Sequence, residues 1–157
     1  MPNSDIFKSF DHRLIQNSLF CSLAVYRVKP YRYLKDDSFS KLHNLKTVVA
    51  AGDYRGEDEV PQRCLMVVSK DTLFVAFKGT ESFDDWIDNA KIEKECNGRF
   101  CGSFHSGFHK RASIVCLEDI KKVADVYAVE KIVMCGHSLG GAVSSIVYLL
   151  LHQTTGE

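Results

Sequence analysis

Residues 131–151 read KIVMCGHSLGGAVSSIVYLLL. The first five, Lys131–Cys135, form a short apolar run of the kind that makes a buried strand. The stretch AVSSIVYLLL supplies a helix. Between them lies Gly136-His137-Ser138-Leu139-Gly140, too short and too glycine-rich for anything but a tight turn. A strand that turns sharply into a helix is the repeating unit of an α/β fold, and the rest of the chain is read from this point outward.

Upstream, residues 109–129 carry a helical stripe of Ile114, Leu117, Ile120, Val123 and Tyr127. Before that, CNGRFCGSFHSGF (96–108) is glycine-rich and irregular, and TESFDDWIDNAKIE (80–93) reads as a loop with a short helical piece. TLFVAFKG (72–79) and CLMVVS (64–69) are apolar strands joined by a polar turn, a hairpin signature. EDEVPQR (57–63) is a polar loop, and KTVVAAG (46–52) a further strand. Near the N-terminus, Phe7, Phe10, Leu14, Cys21 and Ala24 lie three, four or seven residues apart, which predicts one helix capped by Ser4 or Asp5 and ended by Lys29-Pro30. Strands without polar alternation argue for a parallel or mixed sheet covered by helices on both faces, an α/β architecture, with 131–135 parallel to 72–79. A chain of 157 residues supports a single domain spanning 1–157.

Composition narrows the function. Twenty basic and twenty acidic residues give no net charge, and no basic block interleaves with aromatics, so nucleic acid is not expected as a partner. The longest apolar run, Ile146–Leu151, is far shorter than the roughly 20 residues of a membrane span. The first residues, MPNSDIFKSFDHR, lack a signal-like apolar core, which favours a cytoplasmic location. Reduced thiols are then the default for the six cysteines. Cys96 and Cys101 form the only close pair; free thiols and a loop disulfide both remain open there. Cys135 reads as a small buried hydrophobe.

The turn at Ser138 carries the chemistry. Gly-x-Ser-x-Gly between a strand and a helix is the pattern of a nucleophile elbow, in which the hydroxyl stands above the sheet edge. Side chains at Gly136 and Gly140 would collide where strand and helix close on each other, and Gly141 lets the helix pack closely. His137 completes the elbow. The Leu139 N–H and the helix N-terminus point to where an oxyanion would form. The alternative is an ordinary strand-to-helix turn with an ordinary serine. A second oxyanion donor would come from the loop after a neighbouring strand, where Thr80 follows VAFKG. The spacing alone equally admits a β-turn in which Thr80 caps ESFDDW.

Three blocks in order resemble the class 3 lipases, the fungal-lipase-like branch of the α/β-hydrolases. They are LFVAFKGTESFDDWIDN, FHSGFH and IVMCGHSLGGAVSS, all within residues 73–145. The resemblance implies an α/β-hydrolase-type mixed sheet flanked by helices and hydrolysis of acylglycerols or related lipid esters. It implies Ser138 as nucleophile and Thr80 with Leu139 as oxyanion hole. His105 then braces the loops near the serine, Asp85 is a cap or loop anchor, and Trp86 is packing. No metal or organic cofactor is needed. The partner is a lipid or ester substrate, and transient contact with a membrane or lipid interface stays open, as does oligomeric state.

A serine needs a base within hydrogen-bond reach, and in α/β-hydrolases the acid and the histidine follow the serine. Only nineteen residues follow Ser138. His152 is fourteen residues along the same helix, roughly 20 Å away. His12, His43 and His109 have no motif support, and His105 is the one upstream candidate worth testing as a base. The expectation is therefore an incomplete lipase-like domain, truncated after the nucleophile helix and inactive or nearly so. Its alternative is a non-catalytic lipase-like interaction or regulatory module.

Overall fold

The computed structural model describes residues 11–35, 47–56, 61–80, 94–96 and 103–155. In chain order its elements are α1 (His12–Ala24), α2 (Pro30–Leu34), β1 (Thr47–Tyr54), β2 (Gln62–Ser69), β3 (Thr72–Phe77), β4 (Lys94–Cys96), β5 (Ser103–His105), α3 (Ser106–Ser113), α4 (Leu117–Val126), β6 (Lys131–Gly136) and α5 (Leu139–Thr155).

The main sheet has the order β1-β2-β3-β6. β1, β2 and β3 run antiparallel, and β6 is parallel to β3 with Phe77 opposite Gly136. The sheet is therefore mixed, one of the two arrangements the apolar runs admit. Because strand side chains alternate, each central strand feeds two cores. Leu65, Val67, Phe74, Ala76 and Cys135 pack on one face with Cys21, Ala24, Val25 and Leu34 from α1 and its neighbour α2. Met66, Val68, Leu73, Val75 and Phe77 pack on the other with Ala112, Val115 and Ile120 and with Leu139, Val143 and Val147 of α5. Helices cover both faces. β4 and β5 form a separate two-stranded ribbon; β5 lies inside the stretch read as irregular, and β4 runs into its start.

Several boundaries differ from the expected ones. α1 is capped by Asp11, whose carboxylate accepts the N–H groups of Arg13 (3.0 Å) and Leu14 (3.3 Å). Phe7, Phe10 and the proposed caps Ser4 and Asp5 lie outside the described residues. α1 ends at Ala24, before Lys29-Pro30, and Pro30 opens α2 instead of stopping a helix. A proline at the first helical position loses no intrahelical hydrogen bond, so it starts a helix as readily as it ends one.

The predicted helix 109–129 is two helices. The Ser113 hydroxyl bonds back to the His109 carbonyl (2.8 Å), and Cys116 is extended (ψ 104°). The break at 114–116 drops Val115 into the core. α4 then closes with Ala128 in the left-handed region (φ 47°) and the Val129 N–H on the Ala124 carbonyl (3.0 Å), a Schellman ending. Tyr127, predicted on the buried stripe, is exposed. β2 begins at Gln62, inside the stretch read as loop.

The described cysteines Cys21, Cys64, Cys116 and Cys135 are free, and all but Cys116 are buried. The side chains of Cys96 and Cys101 lie outside the described residues. Burial, reinforced by the nearby Cys135 and Asp119, pushes the Cys64 thiol up to about 12. Burial pushes Cys135 up to about 11, against a hydrogen bond with Ser22 that lowers it. Among these four thiols only Cys116 is expected to be alkylated by iodoacetamide in the native state, as peptide mapping would read. The folded chain holds protons that the unfolded chain releases from about pH 9. The contribution of these two thiols to stability is thus fully present below that pH and is lost as pH rises towards 11–12.

Candidate active site

β3 and β6 end side by side, so the turns that follow them, Lys78–Thr80 and His137–Leu139, meet above one end of the sheet. Ser138 has φ 55°, a left-handed conformation that is strained for a serine. His137 and Ser138 are exposed, while Leu139 is buried and begins α5. The Gly140 N–H donates to the His137 carbonyl (3.0 Å), and Gly141 (2.9 Å) and Ala142 (3.3 Å) donate to the Ser138 carbonyl. The Leu139 N–H, at the first position of α5, has no carbonyl one turn back inside the helix.

Close backbone approach explains the glycines. A Cβ on Gly136 would overlap the Gly140 carbonyl group and lie 2.8 Å from the Gly141 nitrogen. A Cβ on Gly140 would overlap the Phe77 carbonyl oxygen. On the facing turn, a Cβ on Gly79 would lie 2.6 Å from the His137 carbonyl and 2.7 Å from the Tyr26 hydroxyl. The Thr80 turn therefore rests directly on the serine turn. Among the described residues, the Thr80 hydroxyl oxygen is buried with no hydrogen-bond partner.

Three residues without motif signatures hold this turn. The Tyr26 hydroxyl, just beyond α1, accepts the Gly79 N–H (3.0 Å). Gln62, fully buried, donates to the Lys78 carbonyl (2.8 Å). Arg63 donates through Nε to the Val25 carbonyl (3.0 Å) and through Nη2 to the Arg27 carbonyl (3.2 Å), which fixes the segment bearing Tyr26. Tyr26 and Gly79 are 53 positions apart, and no local spacing links them. Tyr26→Phe leaves a partly buried N–H without its acceptor. The expected loss is about 1–3 kcal/mol of stability, read by urea denaturation.

His105 caps α3: its Nδ1 accepts the Gly107 N–H (3.2 Å), and its ring stacks on Phe108 (4.6 Å). A ring with Nδ1 accepting carries its proton on Nε2 when neutral. His152 lies one turn from the end of α5, edge-on to Tyr148 (6.0 Å). Among the described residues the Ser138 hydroxyl makes no hydrogen bond to a histidine. His43, Asp85 and Trp86 lie outside the described residues. No group of three His, Cys, Asp or Glu side chains converges as a metal site among the described residues, and no described helix is long and apolar enough to cross a membrane.

The class 3 lipase family model matches residues 74–156, more than half of the chain. The chain belongs to the class 3 lipase family. Its fold is that of the fungal lipases. A triacylglycerol lipase whose catalytic centre is a serine-protease triad superimposes with a TM-score of 0.71 at 18% identity, over 98% of this chain and 57% of that one. The Rhizomucor miehei triacylglyceride lipase gives 0.68 at 19% identity, over 97% and 57%. The mono- and diacylglycerol lipase of Aspergillus oryzae gives 0.67 at 18% identity, over 93% and 59%. This class 3 lipase chain thus spans under three-fifths of the length of these structures. No curated protein gives a significant match to its sequence.

Proposed function

We propose that this lipase-family chain carries the nucleophile and the oxyanion hole of a serine hydrolase acting on acylglycerols or related lipid esters. The observation that carries the reading is the exposed, left-handed Ser138 on its glycine-flanked turn. In this reading Ser138 Oγ attacks the ester carbonyl carbon, and its proton passes to a base. The tetrahedral oxyanion accepts hydrogen bonds from the Leu139 and Thr80 N–H groups. The bond to the alcohol oxygen breaks as the base returns the proton to it. Water then hydrolyses the acyl-serine ester, using the same base.

The base is a histidine oriented by an aspartate, both drawn from the portion of the lipase fold that this chain does not span. The 157 residues alone then hydrolyse esters at a small remnant of the full rate, through oxyanion stabilisation. The unoccupied Thr80 hydroxyl and the Tyr26 contact that sets Gly79 support the assignment of the oxyanion turn. The test is hydrolysis of a short-chain p-nitrophenyl ester by the longest natural form of the protein and by its Ser138→Ala variant. Equal rates would remove the reading.

One observation favours a second reading, a lipase-like module that binds a partner without catalysis: the Ser138 hydroxyl has no hydrogen-bonded base among the described residues. Covalent labelling of Ser138 by a fluorophosphonate separates the two, because a bystander serine reacts no faster than other exposed serines.

A further inference from the structure

The Lys78–Thr80 turn stands beyond the last residue pair of the β2–β3 ladder, Cys64 opposite Phe77. One further backbone bond, from the Lys78 N–H to the Arg63 carbonyl (3.0 Å), continues the ladder, and side chains do the rest. Gln62 and Arg63 are consecutive on β2, so their side chains leave opposite faces of the sheet. Gln62, in step with Cys64 and Met66, lies on the α3 and α5 face and donates to the Lys78 carbonyl (2.8 Å). Arg63, in step with Leu65 and Val67, lies on the α1 face. There its guanidinium bonds the carbonyls of Val25 (Nε, 3.0 Å) and Arg27 (Nη2, 3.2 Å), one on each side of Tyr26. The Tyr26 hydroxyl in turn accepts the Gly79 N–H (3.0 Å). The turn is thus gripped from both faces of the sheet.

Gly79 is where this grip meets the serine turn. A Cβ there would lie 2.6 Å from the His137 carbonyl oxygen and 3.2 Å from the Gly140 nitrogen, so the Gly79 backbone packs directly on residues 137–140. The next N–H along the chain is that of Thr80. Two donors stabilise an oxyanion only while both reach the same oxygen, and an error of about 1 Å costs on the order of 10²-fold in rate. Arg63 suits the task of fixing Tyr26. Its guanidinium is a planar fork that holds two carbonyls at once, and it stays charged across the working pH range. Asp53, opposite Arg63 in β1, lies 3.7 Å from its Nη1 and steadies the same group.

We propose that Arg63 and Tyr26 form a relay that sets the Thr80 N–H relative to the Leu139 N–H, and through it the kcat of ester hydrolysis. The proposal rests on the reading of Ser138, Thr80 and Leu139 given above. Tyr26 is a positioning residue acting through Gly79, and Arg63 is a positioning residue acting through Tyr26.

The test is steady-state hydrolysis of p-nitrophenyl butyrate by the longest natural form of the protein. Tyr26→Phe and Arg63→Gln are each expected to lower kcat about tenfold or more, with KM within about twofold of the parent. Arg63→Lys keeps a charge beside Asp53 but loses the fork, and should fall with Arg63→Gln. Because Arg63 acts through Tyr26, the double variant should be no slower than the slower single one. The Gly79 amide, followed by NMR, should exchange with solvent faster in both single variants. Ile120→Val, a truncation in the buried core under α4, is the stability control: it weakens the fold and leaves kcat unchanged. Full kcat in Tyr26→Phe or in Arg63→Lys, losses that multiply in the double variant, or an equal loss of kcat in Ile120→Val would each overturn the relay. The hydrolase reading is tested apart from it. With Ser138→Ala inactive, any of these results removes only the relay; Ser138→Ala as fast as the parent removes the reading and the relay with it.

Discussion

Gly140→Ala is expected to destabilise the fold by about 3 kcal/mol. On an exposed helix the same change would stabilise by about 1 kcal/mol, because glycine is the poorer helix former. Here the new methyl group would overlap the Phe77 carbonyl oxygen and lie 3.0 Å from the Gly79 nitrogen. Both are backbone atoms, so no rotamer change relieves the clash. Either α5 lifts from β3 or the Gly79 turn moves, and each separates the Thr80 turn from Ser138. For a domain of this size the loss corresponds to roughly 6–12 °C in melting temperature. Gly52→Ala is the control: a Cβ there meets nothing within 4 Å. It should stay within about 0.5 kcal/mol of the parent in the same thermal melts.

The second large effect concerns Ser138, and stability and activity should part company there. Ser138→Gly removes the nucleophile, and ester hydrolysis by the full-length protein is expected to fall by about 10³-fold or more. The same change relieves the φ of 55°. A non-glycine residue in that region costs about 1–2 kcal/mol, and glycine's extra freedom in the unfolded chain takes back about half. The expected net gain is about 0.5–1 kcal/mol in urea denaturation. A serine kept for its fold would behave the other way, losing stability on replacement and leaving hydrolysis intact. A strained residue whose replacement stabilises the protein is the usual mark of a functional site.

Much of this architecture is legible in the sequence because it is written locally. The strand and helix around Ser138, the β2–β3 hairpin and the parallel pairing of β3 with β6 follow from continuous apolar runs and glycine placement. The helix break at 114–116 is not legible, because the apolar period runs unbroken through Ile114, Leu117 and Ile120. Only the Ser113 back-bond and the extended Cys116 interrupt it. Pro30 misleads for a related reason: proline both ends helices and begins them, and the spacing around it does not choose. The clamp on the Thr80 turn is also hidden. Tyr26, Gln62 and Arg63 sit in stretches with no motif, and their roles come from contacts with chain segments far away in sequence.

The central claim is that the turn at residues 136–140 presents a reactive serine. Its most direct measurement is treatment of the longest natural form of the protein with a fluorophosphonate, followed by peptide mass spectrometry across residues 132–151. A single adduct on Ser138, with Ser144 and Ser145 unmodified, is the predicted result. Both of the latter hydroxyls are tied to the Gly141 carbonyl, at 2.8 and 3.0 Å. An unlabelled Ser138, or one labelled no faster than its neighbours on α5, would contradict the claim.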